Sequence, residues 1–494
     1  MAEHSEDFRF KLLKERVHIL RPLEKASPKS SLICVSNTYG LVFVADNRTL
    51  RVIPTASLEP PDTGQAAINN LDIEYEFPPS DQDPSSSQHL ALSSDEKLLL
   101  VVVGLQVLLF DVPSFVRSAL EPIAVSTLNT PFLHALWSPD PTSQQMLLIG
   151  EDGSVEILDQ NLAKVLSKPP NSCVSGAWSP TGKHYALIDT DGTITEYTTS
   201  LLYRNLNVIP GSACPADGFQ ACFVHYLNES TFGVGYVCPE ANPGMGDRLA
   251  YCVVHDGKQD VFEDFAYPPF GLQQPRAVAF FAATLYEWDV ALIATSMSTD
   301  ITVVIKDKGL GSYKLLELDE DAKAGAPTSI DKGEDTFIQG LALDLNSTTS
   351  YPSSDPSEPP ISPSPVLVLL TNEGALLPYA LLNKAIPGPY DFIRKPVTLP
   401  SPSASRPKIP PTESSPPRLL DLLISAAGPQ QQQQLLLQQT QQVQQQQRQE
   451  EEEDVEGGEQ DQQRQQEDED QQEEEDDLDE EEEQQQQQEE EEEE

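Results

Sequence analysis

The sequence predicts an all-β fold, a seven-bladed β-propeller, followed by a Pro/Ser-rich linker and an acidic Gln/Glu-rich tail. Two observations carry the fold: a unit of short strands recurs about every 40 residues, and those strands are built from β-branched and other apolar residues. A third, a sharp change of composition after residue 395, marks where the fold ends.

The unit is clearest where it carries tryptophan. Leu136-Trp137-Ser138-Pro139 is followed by the apolar run 146–149, the turn Glu151-Asp152-Gly153 and the alternating run 155–158. The same order returns as Ala177-Trp178-Ser179-Pro180, the run 185–188, Asp191-Gly192 and the run 194–197, with the tryptophans 41 residues apart. Short strands punctuated by Gly, Pro and Asp turns at this period are the signature of a four-stranded propeller blade, WD40-like in pattern. A lone blade leaves both faces of its sheet bare, so neighbours must cover them and the array must close.

Weaker copies extend the count to seven, with blades expected near 30–58, 86–125, 131–166, 172–205, 217–262, 275–320 and 337–385. The segment from Phe8 to Leu20, in which Phe8, Phe10 and Leu12 alternate with charged residues, is placed to complete an end blade and latch the ring. Two stretches interrupt the pattern, Pro54–Gln88 and Asn346–Pro365. Rich in Pro, Ser and Asp, both read as mobile surface loops. The domain division that follows is a propeller over 1–395, a linker over 396–428 and a disordered tail over 429–494. Leu419–Ala427 is a candidate short helix inside the linker.

Charge narrows the partners. The net charge is −48, and Glu450–Glu494 holds 28 acidic and one basic side chain, so the tail carries −27 and the remainder −21. A tail with so few apolar residues cannot offset the entropy of ordering. The acidic balance argues against direct nucleic-acid binding, which draws on Lys and Arg neutralising phosphates, and points to a basic protein partner. No apolar run approaches the ~18 residues that span a bilayer, and the N-terminus is polar, so a soluble, non-secreted protein without membrane insertion is expected. The sequons opening at Asn47, Asn228 and Asn346 are then chance matches.

Six cysteines, Cys34, Cys173, Cys214, Cys222, Cys238 and Cys252, form no C-x-x-C pair and have no histidine at ligand spacing, so reduced thiols and no metal are expected. No catalytic constellation stands out either. Gly182-Lys183-His184 lacks the upstream glycine of a phosphate loop and reads as a turn between strands. His134 and His184 fall inside the blade pattern, where a hydrogen-bonded structural role is expected, as is a core role for Trp137 and Trp178. Trp288 divides between packing and a surface contact. The expectation is a protein that is not an enzyme and carries no cofactor.

Several stretches resemble one family. Ser31-Leu32-Ile33 through Tyr39-Gly40-Leu41-Val42-Phe43 is similar to the first blade of the N-terminal propeller of the large cytoplasmic-face FG nucleoporin. So are Trp178 through Lys183, Tyr286-Glu287-Trp288-Asp289 and the run from Ala294 to Thr299. Val366 through Thr371 with Glu373-Gly374 resembles that propeller's last blade. The resemblance covers about Phe8 to Pro400. Family members continue through a coiled coil and many Phe-Gly repeats, whereas Phe-Gly occurs here only at Phe232-Gly233 and Phe270-Gly271, within the propeller.

The resemblance implies a nuclear pore component at the cytoplasmic face. Its partners would be other nucleoporins and the DEAD-box helicase of mRNA export, docked through that helicase's N-terminal RecA-like domain onto loops joining the late blades. The matching stretch is Pro327–Ile338, where Asp331, Glu334 and Asp335 would form an acidic rim and Phe337 and Ile338 an apolar anchor. Read without the resemblance, the stretch is equally a solvated acidic turn. Two other functions remain open on the residues alone. One is a WD-type interaction scaffold, such as a histone-binding propeller with an acidic tail. The other is a propeller hydrolase, for which no catalytic dyad stands out.

Overall fold

Strands whose sequence is apolar throughout are the ones with sheet neighbours and blade neighbours on every side. Leu41–Ala45, Leu98–Val103, Met146–Gly150, Val290–Thr295 and Val366–Thr371 are second strands of their blades and are buried along almost their whole length. Outermost strands read differently: Ile73–Glu76 and Ala124–Thr127 alternate half-buried and exposed, because one face packs and the other meets water.

The computed structural model describes residues 3–397 apart from 5–6, 21, 24–30, 60–72, 78–87, 117–120, 169–172, 199–204, 210–217, 240–247, 256–257, 264–277, 330–332, 348–349, 351–359 and a few single positions. The expected linker helix and the tail lie outside the described residues, as does Cys214. Within them, the strands form seven sheets of four or five strands, antiparallel except at one outer edge. The first strands of successive blades lie side by side, and that of the last blade, Ile338–Asp344, lies beside that of the first, Ile33–Ser36, which closes the ring.

The packing explains why closure is obligatory. Among the described residues, seven hydrophobic cores each sit between two blades, from the core joining blades 1 and 2 (Phe43, Val52, Leu99, Phe110) round to the one joining blades 7 and 1 (Val42, Val44, Val368, Leu370). The repeated tryptophans reinforce this. Trp137 Nε1 donates to the carbonyl of Ala91 at 3.1 Å, and Trp178 Nε1 to that of Leu136 at 3.1 Å, each reaching the first strand of the preceding blade.

The N-terminal segment latches the ring as its alternation foretells. Phe8–Leu12 pairs with Ala375–Asn383 as the outermost strand of blade 7, and Phe8 and Phe10 enter the core shared by blades 6 and 7. Two features depart from the sequence reading. The region 54–88 contains the fourth strand of blade 1, Ile73–Glu76, paired with Thr49–Pro54; its IEYE alternation is only four residues long. Glu3–His4 also adds a parallel strand to the outer edge of blade 6.

Because strands alternate in direction, turns after first and third strands share one face of the ring, and turns after second strands share the other with the interblade connections. On the former, residues 384–397 cross three blades. Tyr390 and Phe392 cover Trp288 of blade 6 (ring centroids 5.2 and 6.2 Å), Arg394 N bonds Leu345 O of blade 7, and Val397 N bonds Thr38 O of blade 1. Trp288 is therefore a packing residue, 2% exposed. Gly40 holds a φ of +64° directly beneath Pro396, a site with no room for a Cβ.

Candidate functional site

The connection from blade 6 to blade 7, residues 318–337, lies on the opposite face. It leaves the strand Tyr313–Glu317, makes a 3-10 turn at Glu320–Ala322, and returns into Ile338–Asp344. Its apolar residues hold it down: Leu318 and Ala324 are buried in the core between blades 6 and 7, and Ala322 and Ala326 pack against it.

Backbone bonds tie it to blade 6, from Ile301 N to Ala324 O (2.9 Å) and Ala326 N to Thr299 O (2.7 Å). Three side chains from three segments capture its carbonyls. Tyr379 Oη donates to Gly325 O at 2.8 Å, Thr336 Oγ1 to Pro327 O at 2.6 Å, and Arg16 to Thr328 O. Beyond Thr328, Ser329 N bonds Glu334 O and Gly333 N bonds Ser329 O. Gly333 sits at φ +66° with open space around it. From Leu318 to Ser329 the connection is held by these contacts before any partner arrives, so little entropy is lost there on docking.

What it displays is acid. Glu317, Asp319, Glu320, Asp321 and Glu334 are exposed and Asp335 is partly buried. Lys323 Nζ bonds Glu320 at 2.5 Å, and its ammonium is pushed up from the usual lysine range by that bond and by the charges of Glu320, Asp300 and Glu317. The Asp300 carboxyl, on the neighbouring turn of blade 6, is raised by desolvation; Lys323 opposes the shift, and Glu320 and Asp335 add to it. Among the described residues, the surface thus gathers its carboxylates around Lys323.

Of the residues singled out from the sequence, Glu334 and Asp335 stand at this surface, and Asp331 lies outside the described residues. Phe337 and Ile338 do not form an apolar anchor, and that expectation is corrected. Ile338 opens the innermost strand and is fully buried in the core. Phe337 is 5% exposed, its N–H bonded to Asn372 Oδ1 and its carbonyl to Asn372 N. Neither ring nor branch is available to a partner. The carboxylates at 317–321 went unselected, although four acids in five residues directly after a strand are a readable signal.

Elsewhere among the described residues there is little chemistry. A cavity of about 710 Å³ runs through the ring, lined by first-strand residues including His89, His134, Phe223, His225 and Phe280. Burial holds His89 near pKa 4 and His225 near 3, so both are neutral imidazoles, bonded to Phe132 O and Tyr251 Oη. Lys183 falls in the expected turn, Gly182 N bonding Ser179 O at 2.8 Å. Among the described residues no group of three or more His, Cys, Asp or Glu is placed to hold a metal ion, and the cysteines described are free thiols. No helix among them is long and apolar enough to cross a membrane.

Comparison with known proteins places this geometry. The family model described as NUP159/214 beta propeller matches residues 27–376. Human nuclear pore complex protein Nup214 is 26% identical over 429 residues, covering 82% of this chain and 20% of that protein. Drosophila melanogaster Nup214 is 23% identical over 410 residues, covering 77% and 22%. The chain therefore spans about a fifth of the length of these relatives. Among solved structures, the N-terminal domain of Nup159 matches with a TM-score of 0.57 at 17% identity, over 78% of this chain and 98% of that one. A chain in the S. cerevisiae complex of dbp5 bound to nup159, gle1, IP6 and ADP matches with a TM-score of 0.56 at 18% identity, over the same shares. At these identities the structural likeness shows the fold alone.

Proposed function

Because the chain belongs to the NUP159/214 beta propeller family, we propose that it is a non-enzymatic docking platform at the cytoplasmic face of the nuclear pore, receiving a DEAD-box RNA helicase in mRNA export. The observation that carries the reading is the blade 6 to blade 7 connection, whose described residues are tied down by backbone and side-chain bonds and present a run of carboxylates. A solved complex that joins dbp5 to nup159 supports the partner class. Charge supports its polarity, since this surface attracts a basic patch such as one on the helicase's N-terminal RecA-like domain.

Docking here would concentrate the helicase at the pore exit and, where the propeller covers the surface that RNA occupies, oppose RNA rebinding. The propeller does this by occupancy, without bond-making. Other nucleoporins complete the set of partners this reading implies.

The test is titration of the purified helicase N-terminal domain against the full chain and against a variant with Glu317, Glu320 and Glu334 replaced by Lys. Reversal should weaken binding at least about tenfold, or ~1.4 kcal/mol, mainly through slower association. Wild-type affinity should itself fall as salt rises. Unchanged affinity in a folded variant refutes this surface as the dock.

A further inference from the structure

The N-terminal segment pairs with the third strand of blade 7 in two stretches, Phe8–Leu12 and Val17–His18, and Arg16 leaves the chain in the break between them. Its guanidinium joins two parts of the face that carries the interblade connections. Nη1 meets Glu373 Oε2 at 3.3 Å, on the turn between the second and third strands of blade 7, and Nη2 donates to Thr328 O in the blade 6 to blade 7 connection. The side chain is only 14% exposed, so it is spent on these internal contacts rather than offered to solvent.

Its charge has the wrong sign for direct recognition. A cation within an acidic surface repels a basic partner, so anything Arg16 contributes to docking must come through geometry. Thr328 immediately precedes Ser329, whose N–H bonds Glu334 O, and Asp335 follows Glu334. Of the carbonyls at 325, 327 and 328 that side chains capture, only Thr328 is held from the segment that latches the ring.

We propose that Arg16 is a positioning residue for the docking surface: by bridging Glu373 and the Thr328 carbonyl it sets where Glu334 and Asp335 stand, and so couples docking competence to latching of the N-terminal segment. The proposal rests on the docking reading above. Charge alone and positioning predict opposite signs. Removing a cation makes the surface more acidic and, by charge alone, tightens binding of a basic partner; removing a brace loosens Glu334 and Asp335 and weakens it.

The experiment uses the full chain as wild type, Arg16→Ala, Arg16→Lys and Glu373→Gln, with circular dichroism and thermal unfolding as folding controls. Amide hydrogen exchange is followed at Ser329 and Gly333, and binding of the helicase N-terminal domain is measured beside the triple-Lys variant. Arg16→Ala should speed exchange at these two amides about tenfold or more with little change at the strands, and should weaken binding several-fold. Arg16→Lys, which keeps the charge but not the fork, should show most of the loosening. Glu373→Gln, which leaves the Thr328 bond in place, should show less. Exchange equal to wild type in Arg16→Ala overturns the proposal. So does equal or tighter binding in that variant while the triple-Lys variant is weakened. If the triple-Lys variant binds like wild type, the docking reading itself fails and the coupling to docking falls with it.

Discussion

Replacing Asp344 by Asn should stabilise the propeller at neutral and alkaline pH, and the gain should vanish in acid. Asp344 ends the innermost strand of blade 7 where that blade meets blade 1, and it is 2% exposed. Burial pushes its carboxyl up to about 6, with Glu59 adding to the shift and bonds from Asn346 N (2.9 Å) and Nδ2 (2.8 Å) opposing it. The unfolded chain would titrate near the ordinary value of 3.8. A carboxyl whose folded pKa is raised binds more protons in the native state, so stability rises as pH falls through 6, and the cost of charging it is complete above that. About two pH units at 1.36 kcal/mol each put the cost near 3 kcal/mol at pH 8, falling below about 1 kcal/mol at pH 4. Asn keeps an oxygen to accept the Asn346 bonds and removes the charge. Urea unfolding of both proteins at pH 8, 6.5, 5 and 4 measures the difference. A variant less stable at pH 8, or a difference that does not change with pH, would refute the reasoning.

The remaining predictions concern other parts of the ring. His89 is buried as a neutral imidazole with its pKa pushed down to about 4, so stability should be lost as pH falls from 6.5 toward 4, by up to about 3 kcal/mol. His89→Gln should flatten that loss, read as unfolding midpoints against pH; an unaltered slope would mean the imidazole already charges without cost. Phe392→Ala should uncover Trp288, shift tryptophan emission to the red and cost about 2 kcal/mol, roughly half the value for a fully buried ring. Helicase binding should be kept, because residues 384–397 cross the face opposite the proposed dock; lost binding with an intact fold would place the dock on the wrong face.

The fold was legible because a propeller writes its topology into hydrophobic pattern. Second strands are covered on both faces and read as unbroken apolar runs such as LVFVA and LLLVVV, and each Trp-Ser-Pro marks the end of a first strand. Ile73–Glu76 escaped because an outermost strand needs only two inward residues, too few to stand out among Pro, Asp and Ser. Glu3–His4 left no signal at all: a two-residue parallel strand draws its place from backbone pairing, which any side chain permits. At the candidate site, acidity was readable and direction was not. Phe337 and Ile338 follow the carboxylates in sequence, yet the chain passes from loop to innermost strand at that point. One step along the backbone separates surface from core.

Closing a ring asks for specificity where its two ends meet, and this chain supplies it with polar groups as well as apolar ones. At the junction of blades 7 and 1, Leu345 N bonds Asn37 Oδ1 at 2.7 Å, and Asn346 Nδ2 reaches Asp344, Asn37 Oδ1 and Ser36 O. The network continues into blade 2, where Glu96 accepts from Ser36 Oγ at 2.6 Å and Thr38 N at 2.7 Å. Apolar faces tolerate a slipped neighbour, since one aliphatic surface packs acceptably on another; a buried carboxylate and two amides do not, because a wrong partner leaves them unbonded at a cost of about 1–3 kcal/mol each. The charging cost at Asp344 is then what this chain gives up for one closed register. Asp344→Asn separates the two effects, because it removes the charge and keeps the acceptor. If the gain at pH 8 comes with unaltered exchange at the amides of Leu345 and Asn346, closure depends on the hydrogen bonds, and the negative charge contributes only its cost.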